Sequence, residues 1–468
     1  MLSKLREIVG DKHVITGPEA ERYGADATGK YDAAPLAVVR PADSAEVSKI
    51  LTLANATKTP VVPISGNTGI VGGSYAPNGI MVSLERLNTI REIRPDSRIA
   101  IVEAGVILSK LHEAADAHDM VFPLTFGARG SAMIGGNLAT NAGGSNVVRY
   151  GSTRALCLGI EVVLPDGRIM DLMSELHKDN SGYALKDLYI GSEGTLGLIT
   201  AAVVKLFPKP KAYATAMLAA KSVPDTLTIL NRLQEASGGI IEAFEYMPKT
   251  YMKRLAKIRP DLAPPLGTDH ETTIFLELGA TAPRDSTPRQ DGSLPLVDLL
   301  ENTLAELIEQ GLILDATLAR SESQRAHMWA MREAAAEIVF SRKPLVDTDL
   351  SVPLDKVNDF LDMAHERLAD LDQDAETLTV SHLGDGNLHF NVWPTSDDPQ
   401  LMDQIREMVE DVTVELRGSF SAEHGIGLSK ISSMQRRKDP IALDVMHSLK
   451  AALDPNNIMN PGKVLPEK

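Results

Sequence analysis

The sequence predicts an α+β chain of more than one domain, in which a strand-and-loop domain cradles an extended ligand and an α/β domain of longer helices follows. Three observations predict it. At 468 residues the chain exceeds what one hydrophobic core serves. Three glycine-rich loops fall within about one domain's length, the first of them leaving a β-type run. After Pro208-Lys209-Pro210-Lys211 the composition shifts to longer amphipathic stretches with fewer glycines.

The first loop, Pro63-Ile64-Ser65-Gly66-Asn67-Thr68-Gly69-Ile70-Val71-Gly72-Gly73-Ser74, leaves a strand carrying Val61 and Val62. Its glycines and small hydroxyl or amide residues leave backbone N–H groups uncovered and permit positive φ, as a loop wrapping a pyrophosphate requires. Read alone, it is equally an ordinary Gly-rich turn. The second cluster runs from Gly127 to Gly144 through Gly130, Ser131, Gly135, Gly136, Asn137, Thr140, Asn141 and Gly143. It is too long for a hairpin turn, and nothing in it is expected to build a core. The third runs from Ile190 to Thr200 and contains Glu193, Gly194 and Ile199. Together they point to one ligand with phosphates and a broad planar group, held largely by backbone. None has the G-x-G-x-x-G spacing between strand and helix, which argues against a nicotinamide Rossmann domain.

The elements follow in order. Leu36 to Val39 is a short strand stopped by Pro41. Asp43-Ser44-Ala45-Glu46 is a capping box that starts a helix with Val47, Ile50, Leu51 and Leu53 on its apolar face. Strands at 80–84, 90–93 and 99–103, a helix at 107–117 and a hairpin of 158–164 with 168–172 across Pro165-Asp166-Gly167 lead to a strand at 199–207. Beyond the Pro/Lys boundary come helices at 224–236 and 296–310, strands at 240–246 and 273–278, and a polar loop at 280–293.

The three loops, in this order, resemble those of the FAD-dependent oxidoreductases of the vanillyl-alcohol-oxidase (PCMH) type. Within these, the chain resembles the D-2-hydroxyacid dehydrogenases that act on D-lactate and D-2-hydroxyglutarate. The resemblance covers nearly the whole chain. It implies an FAD-binding domain over 1–208, a substrate-capping domain over 209–420 and a C-terminal segment, 421–468, that returns to the flavin. Asn460, in Asn460-Pro461-Gly462-Lys463, is then on the flavin side. The second cluster holds no histidine or cysteine, so the FAD is expected to be non-covalent. The resemblance leaves the electron acceptor open between an electron-transfer flavoprotein and a quinone, and is compatible with a homodimer.

The sharpest local signal is Ser381-His382-Leu383-Gly384-Asp385-Gly386-Asn387-Leu388-His389-Phe390-Asn391. A two-residue turn at Asp385-Gly386 would pair His382 with His389, whose Cβ atoms would then lie about 4.5 to 5.5 Å apart. Two such imidazoles can ligate one divalent metal, and Asn391 falls on the same face. The other reading is a pair of half-exposed histidines. Further on, Glu423 and His424 are adjacent, so in an extended segment their side chains point to opposite sides. Glu423 would complete a zinc or manganese site, and His424 would serve as general base for the substrate hydroxyl, with hydride passing to flavin N5. A simple pairing of each with a neighbour is the alternative. An anionic substrate also needs a cation, and Arg332 in an Ala-rich helical stretch supplies a planar fork, unless it pairs with Glu333 or Glu337.

With 43% hydrophobic and 24% charged residues and a formal net charge of -16, the chain reads as a soluble globular protein that does not bind nucleic acid. One cysteine, Cys157, allows no intrachain disulfide, and no apolar run of membrane-spanning length occurs; a cytoplasmic location is the default expectation. Two other functions compete: a metal-dependent hydrolase whose loops bind a nucleotide substrate, and a non-catalytic flavoprotein subunit. For the substrate, relatives specific for D-2-hydroxyglutarate place a hydroxyl one helical turn after the arginine and a lysine before the Asp-Leu-Ser run. Here those positions are Ala336 and Asp347. The expectation is therefore D-lactate or a similar aliphatic D-2-hydroxyacid, with D-2-hydroxyglutarate as runner-up.

Overall fold

The computed structural model describes every residue except Ala27 and Lys468. It divides into two units: Met1–Gly143, Gly151–Lys209 and Glu423–Lys468 make the first, and Gly144–Tyr150 with Pro210–Ala422 the second. Glu423–Lys468 is thus part of the first unit rather than a body of its own, and Gly144 opens a short excursion that belongs to the second.

In the first unit, Ser44–Thr57 is a helix held by both arms of its capping sequence. Asp43 accepts from the Glu46 N–H (2.8 Å), and the Glu46 carboxylate accepts from the Ala42 N–H (2.7 Å). Val47, Ile50, Leu51 and Ala54 form its buried face; Leu53, expected there, is only partly covered. The chain returns as the strand Val61–Ile64, parallel to Ile80–Ser83, which in turn pairs in parallel with Ala37–Val39. Val61–Ile64 lies at the end of its four-stranded sheet, where a proline is tolerated. The C-terminal segment takes up that edge: the Val61 N–H donates to Ile458 O (2.7 Å) and the Asn460 N–H to Val61 O (2.8 Å). A five-stranded antiparallel sheet, ordered Ile90–Arg94, Ile99–Glu103, Leu198–Lys205, Cys157–Val163, Ile169–Leu172, completes the unit.

The second glycine cluster does contribute to a core, contrary to expectation. Ile134–Ala139 is helical, and Ile134 and Leu138, four apart and so on one face, are both buried.

The second unit is built on a seven-stranded antiparallel sheet, ordered Ile313–Leu318, Ala212–Ala220, Thr272–Ala280, Ile241–Pro248, Glu376–His382, Asn387–Trp393, Leu350–Ser351. Side chains alternate between its faces. One face, with Leu218, Phe244, Leu276 and Phe390, packs with Val223–Ser237, Pro295–Glu309, Val357–Leu371 and Pro399–Glu415. The other, with Met217, Phe275, Val380 and Trp393, packs with Lys249–Ile258, Glu322–Glu333 and Ala335–Val339. The second face carries the polar cluster described below.

The hairpin register differs from the expected one. His382 pairs with Asn387 and Val380 with His389, so Leu383 to Gly386 form the connection rather than Asp385-Gly386 alone. The Gly384 N–H is drawn to Phe244 O (3.1 Å) on the neighbouring strand, and the Asp385 side chain accepts from the Asn387 N–H (3.1 Å); both compete with a two-residue turn. A slip of two residues leaves every side chain on its face. His382, His389 and Asn391 therefore still share one.

Candidate active site

The polar side chains of the glycine loops in the first unit are largely engaged with the protein itself. Ser65 Oγ accepts from the Gly136 N–H (3.0 Å), tying the first loop to the second. Asn67, at φ 50, donates to Ala25 O (2.7 Å) and accepts from Ser74 Oγ (2.7 Å). Thr140 Oγ1 donates to Gly136 O (3.0 Å), and Asn141 Oδ1 accepts from Ser152 Oγ and the Arg154 N–H. Glycine is required where the loops meet: a Cβ on Gly66, at φ 78, would stand 2.4 Å from Ser131 O, and one on Gly136 2.9 Å from Ser65 O. By contrast, a Cβ at Gly69 or Gly130 would meet nothing within 4 Å. Gly194, at φ 72, packs on Pro63, while Ile199 is buried and pairs with Val162 as a core position.

Asn460 closes this cradle. Its side-chain amide donates to Gly73 O (3.0 Å) in the first loop and Glu193 O (2.8 Å) in the third, at a backbone φ of 39. Glu193, expected to touch the cofactor, instead gives one carboxylate oxygen to the Ile426 N–H (2.7 Å) and the other to the Gly427 N–H (2.8 Å). Burial pushes its carboxyl above the ordinary value, only partly offset by those two N–H groups and the Lys430 charge. Two buried atoms of the cradle have no hydrogen-bond partner: Asn137 Nδ2 and Asn460 Oδ1. A buried donor and acceptor left unpaired beside open glycines fit an extended ligand such as FAD, which would bond both. Immediately before the Ile426 clip stand Glu423 and His424, both half-buried.

The polar cluster of the second unit follows from strand register. Tyr246 pairs with Ser381, which sets Glu245 across from His382 on one face. Glu245 is fully buried, and His382 Nδ1 lies 2.9 Å from both its carboxylate oxygens. Arg332, expected to pair with Glu333 or Glu337 if not with a ligand, is buried and donates from Nε to Glu245 Oε2 (2.7 Å). Burial pushes the Glu245 carboxyl up, but the hydrogen bonds and electrostatic pull of His382 and Arg332 outweigh it and hold the group at about 2. The His382 and His389 rings stand edge to face, 5.8 Å between centroids. Asn391 donates to His389 O (3.1 Å), and its Oδ1 is buried without a partner. On the adjoining strand, Val346 meets Val392 and Leu350 pairs with Leu388, a register that puts Asp347 across from Asn391 and Asp349 across from His389. Asp349 is buried; its oxygens accept from Asn387 Nδ2 (3.1 Å) and from the N–H of Ala422 (3.2 Å), the residue before Glu423.

Residues 209–464 match the family of FAD linked oxidases, C-terminal domain, and residues 35–173 the FAD binding domain. The "D-2-hydroxyglutarate dehydrogenase" of Stutzerimonas stutzeri is 33% identical over 99% of this chain and 98% of its own, and the mitochondrial protein of that name from Bos taurus 36% over 99% and 83%. The chain belongs to the FAD-linked D-2-hydroxyacid dehydrogenases. Solved structures bear out the fold: p-cresol methylhydroxylase superposes with a TM-score of 0.73 at 17% identity, covering 99% of this chain and 95% of its own. Alkyldihydroxyacetonephosphate synthase gives 0.73 at 17%, covering 99% and 85%.

In this dehydrogenase the fold gathers Arg332, His382, His389 and Asn391 on one sheet face, and sets Asn460 between the first and third loops. It does not keep Ala336 stacked on Arg332. The helix Glu322–Glu333 ends there, a new one starts at Ala335, and Ala336 is exposed while Arg332 is buried. Glu245, Asn387 and Asp349 were missed by sequence reasoning. An acid inside the apolar strand Ile241–Pro248 is the signal that Glu245 offered, because lone carboxylates are not buried without partners.

Proposed function

We propose that the chain oxidises D-2-hydroxyglutarate to the 2-oxoacid with non-covalent FAD and a divalent ion, zinc or manganese. Carrying this substrate ahead of D-lactate is one observation: relatives named for D-2-hydroxyglutarate match the chain over almost its whole length. The residue roles are ours. The loops holding Ser65 to Ser74, Gly130 to Gly143 and Gly191 to Gly194, with Asn460, hold the flavin. His382, His389 and Glu423 hold the ion, in the two-imidazole, one-carboxylate set that leaves positions open. When bound, the flavin supplies the two-electron acceptor and the ion a Lewis acid.

Arg332 grips the substrate's C1 carboxylate with the part of its fork that Glu245 does not occupy. Asn391 orients the substrate through its unpaired Oδ1. His424 takes the proton from the C2 hydroxyl. The acceptor we propose is an electron-transfer flavoprotein or a quinone, and the location cytoplasmic; no helix among the described residues is long and apolar enough to cross a membrane.

A second reading, a short aliphatic D-2-hydroxyacid such as D-lactate, is favoured by the register between the Val346–Val392 and Leu350–Leu388 pairs, which sets an acid, Asp347, across from Asn391. The test common to both is anaerobic. D-2-hydroxyglutarate, D-lactate and their L-enantiomers are added to the purified protein and the flavin absorbance is followed. Bleaching by D-acids alone is expected; a colourless protein, or a flavin that no 2-hydroxyacid bleaches, sinks the proposal.

A further inference from the structure

Burying a carboxylate with no exposed surface is costly, and it is compensated only by partners that bond it fully. Glu245 has two of different kinds: Arg332 Nε at 2.7 Å and His382 Nδ1 at 2.9 Å. A structural ion pair needs only the first. The second fixes a ring that sits edge to face with His389 and shares its face with Asn391.

We infer that Glu245 is a positioning residue, which locks His382 with the hydrogen on Nδ1 and so leaves Nε2 as the lone pair offered to a divalent cation, while steering the Arg332 fork. The inference rests on the metal reading proposed above. An ionised carboxylate only accepts, so the histidine nitrogen facing it carries the hydrogen. Arg332 also approaches Nδ1, at 3.5 Å, but it too is a donor and cannot bond a protonated nitrogen. In the neutral ring the remaining lone pair is then on Nε2. Carboxylates placed behind metal-bound histidines act in this way, fixing tautomer and ring orientation. Here one carboxylate serves both the cation site and the anion clamp. Their geometries are therefore coupled through a single side chain.

The decisive variant is Glu245→Gln. Its amide oxygen can replace the carboxylate toward Arg332 Nε, but the other oxygen 2.9 Å from His382 Nδ1 becomes an NH2 donor that competes with the ring hydrogen there. That shifts the ring toward the tautomer with its hydrogen on Nε2, in which the ligating atom is blocked. Full-length, flavin-loaded protein is stripped of metal, and zinc chloride binding is measured by equilibrium dialysis. Glu245→Gln is expected to bind zinc about 10- to 100-fold more weakly than wild type, with flavin content unchanged. Zinc bound within about threefold of wild type overturns the role of Glu245 and leaves the metal reading standing. Wild-type protein that takes up no zinc overturns the metal reading and this role with it. Should the variant fail to fold, 15N-histidine spectra of metal-stripped wild type decide, with the His382 signals assigned by their loss in His382→Ala. Protonated Nδ1 with bare Nε2 supports the inference, and the opposite tautomer refutes it.

Discussion

The side-chain amide of Asn460 donates to the backbone carbonyl of Glu193 at 2.8 Å, and through a second bond to Gly73 O it joins the first and third glycine loops. Both acceptors are main-chain carbonyls, and the amide's own buried Oδ1 is left for a ligand. Asn460→Ala removes two bonds to half-buried carbonyls, worth about 0.5–1.5 kcal/mol each, and the flavin contact proposed for Oδ1. The expected result is a protein that loses most of its flavin on gel filtration and melts at lower temperature. Flavin retained at wild-type stoichiometry would refute the assignment.

Glu193 gives a pH prediction. Its carboxyl lies above the ordinary value because burial disfavours the charge, so in the window just above that ordinary value the folded chain holds the proton and the unfolded chain does not. Stability then falls as pH rises through the window. Glu193→Gln, which has no charge to bury, should gain on wild type as pH is raised from about 4 to about 6. Its flavin should be held less tightly at every pH, since the two N–H groups of Ile426 and Gly427 use separate oxygens and the NH2 that replaces one of them cannot accept. A Tm difference that does not vary with pH would contradict the direction of the shift.

Replacing His382 or His389 by alanine should abolish stoichiometric metal and most turnover while leaving the flavin bound, because the glycine loops belong to the other unit. Metal analysis and flavin absorbance on the same sample separate the two effects. Full activity in protein free of any stoichiometric ion would end the metal proposal.

Much of this architecture is legible in the sequence, and the limit is long-range register. Loops, caps and alternation are local, so the helix Ser44–Thr57 and the hairpin faces can be read from spacing alone. The partner of a buried charge is not local. Nothing near Arg332 in the chain says that Glu245 is its acceptor, because the pairing depends on a strand and a helix meeting across a sheet. The same holds for Glu193, whose carboxylate is claimed by N–H groups of a segment far along the chain. The helix break at Ala334 was hidden for another reason: alanines favour helix continuation and carry no stop signal.

Arg332→Lys keeps the charge but not the fork. The Nε–Glu245 bond and bidentate recognition of a carboxylate cannot both survive on a single ammonium. A fall in kcat/KM of about 10- to 100-fold is expected, equal to about 1.4 to 2.7 kcal/mol of transition-state binding, with unchanged flavin content. Kinetics equal to wild type would mean that the carboxylate is held elsewhere.

The last prediction separates the two substrates through Asp347. Its register places it on the sheet face of His389 and Asn391, two positions from the buried Asp349. The far carboxylate of a dicarboxylic substrate would approach an anion there, whereas D-lactate has no second carboxylate to repel. Like charges 4 Å apart cost roughly 4 kcal/mol at an effective dielectric of about 20, and even a fraction of this shows in kinetics. Asp347→Asn should therefore raise kcat/KM for D-2-hydroxyglutarate several-fold and leave D-lactate unchanged. In the wild type, a preference for the dicarboxylate above about tenfold, roughly 1.4 kcal/mol, supports the leading proposal. A preference for D-lactate of the same size favours the second reading. If Asp347→Asn moves both substrates equally, the residue does not discriminate between them, and the choice rests on groups around Arg332 instead.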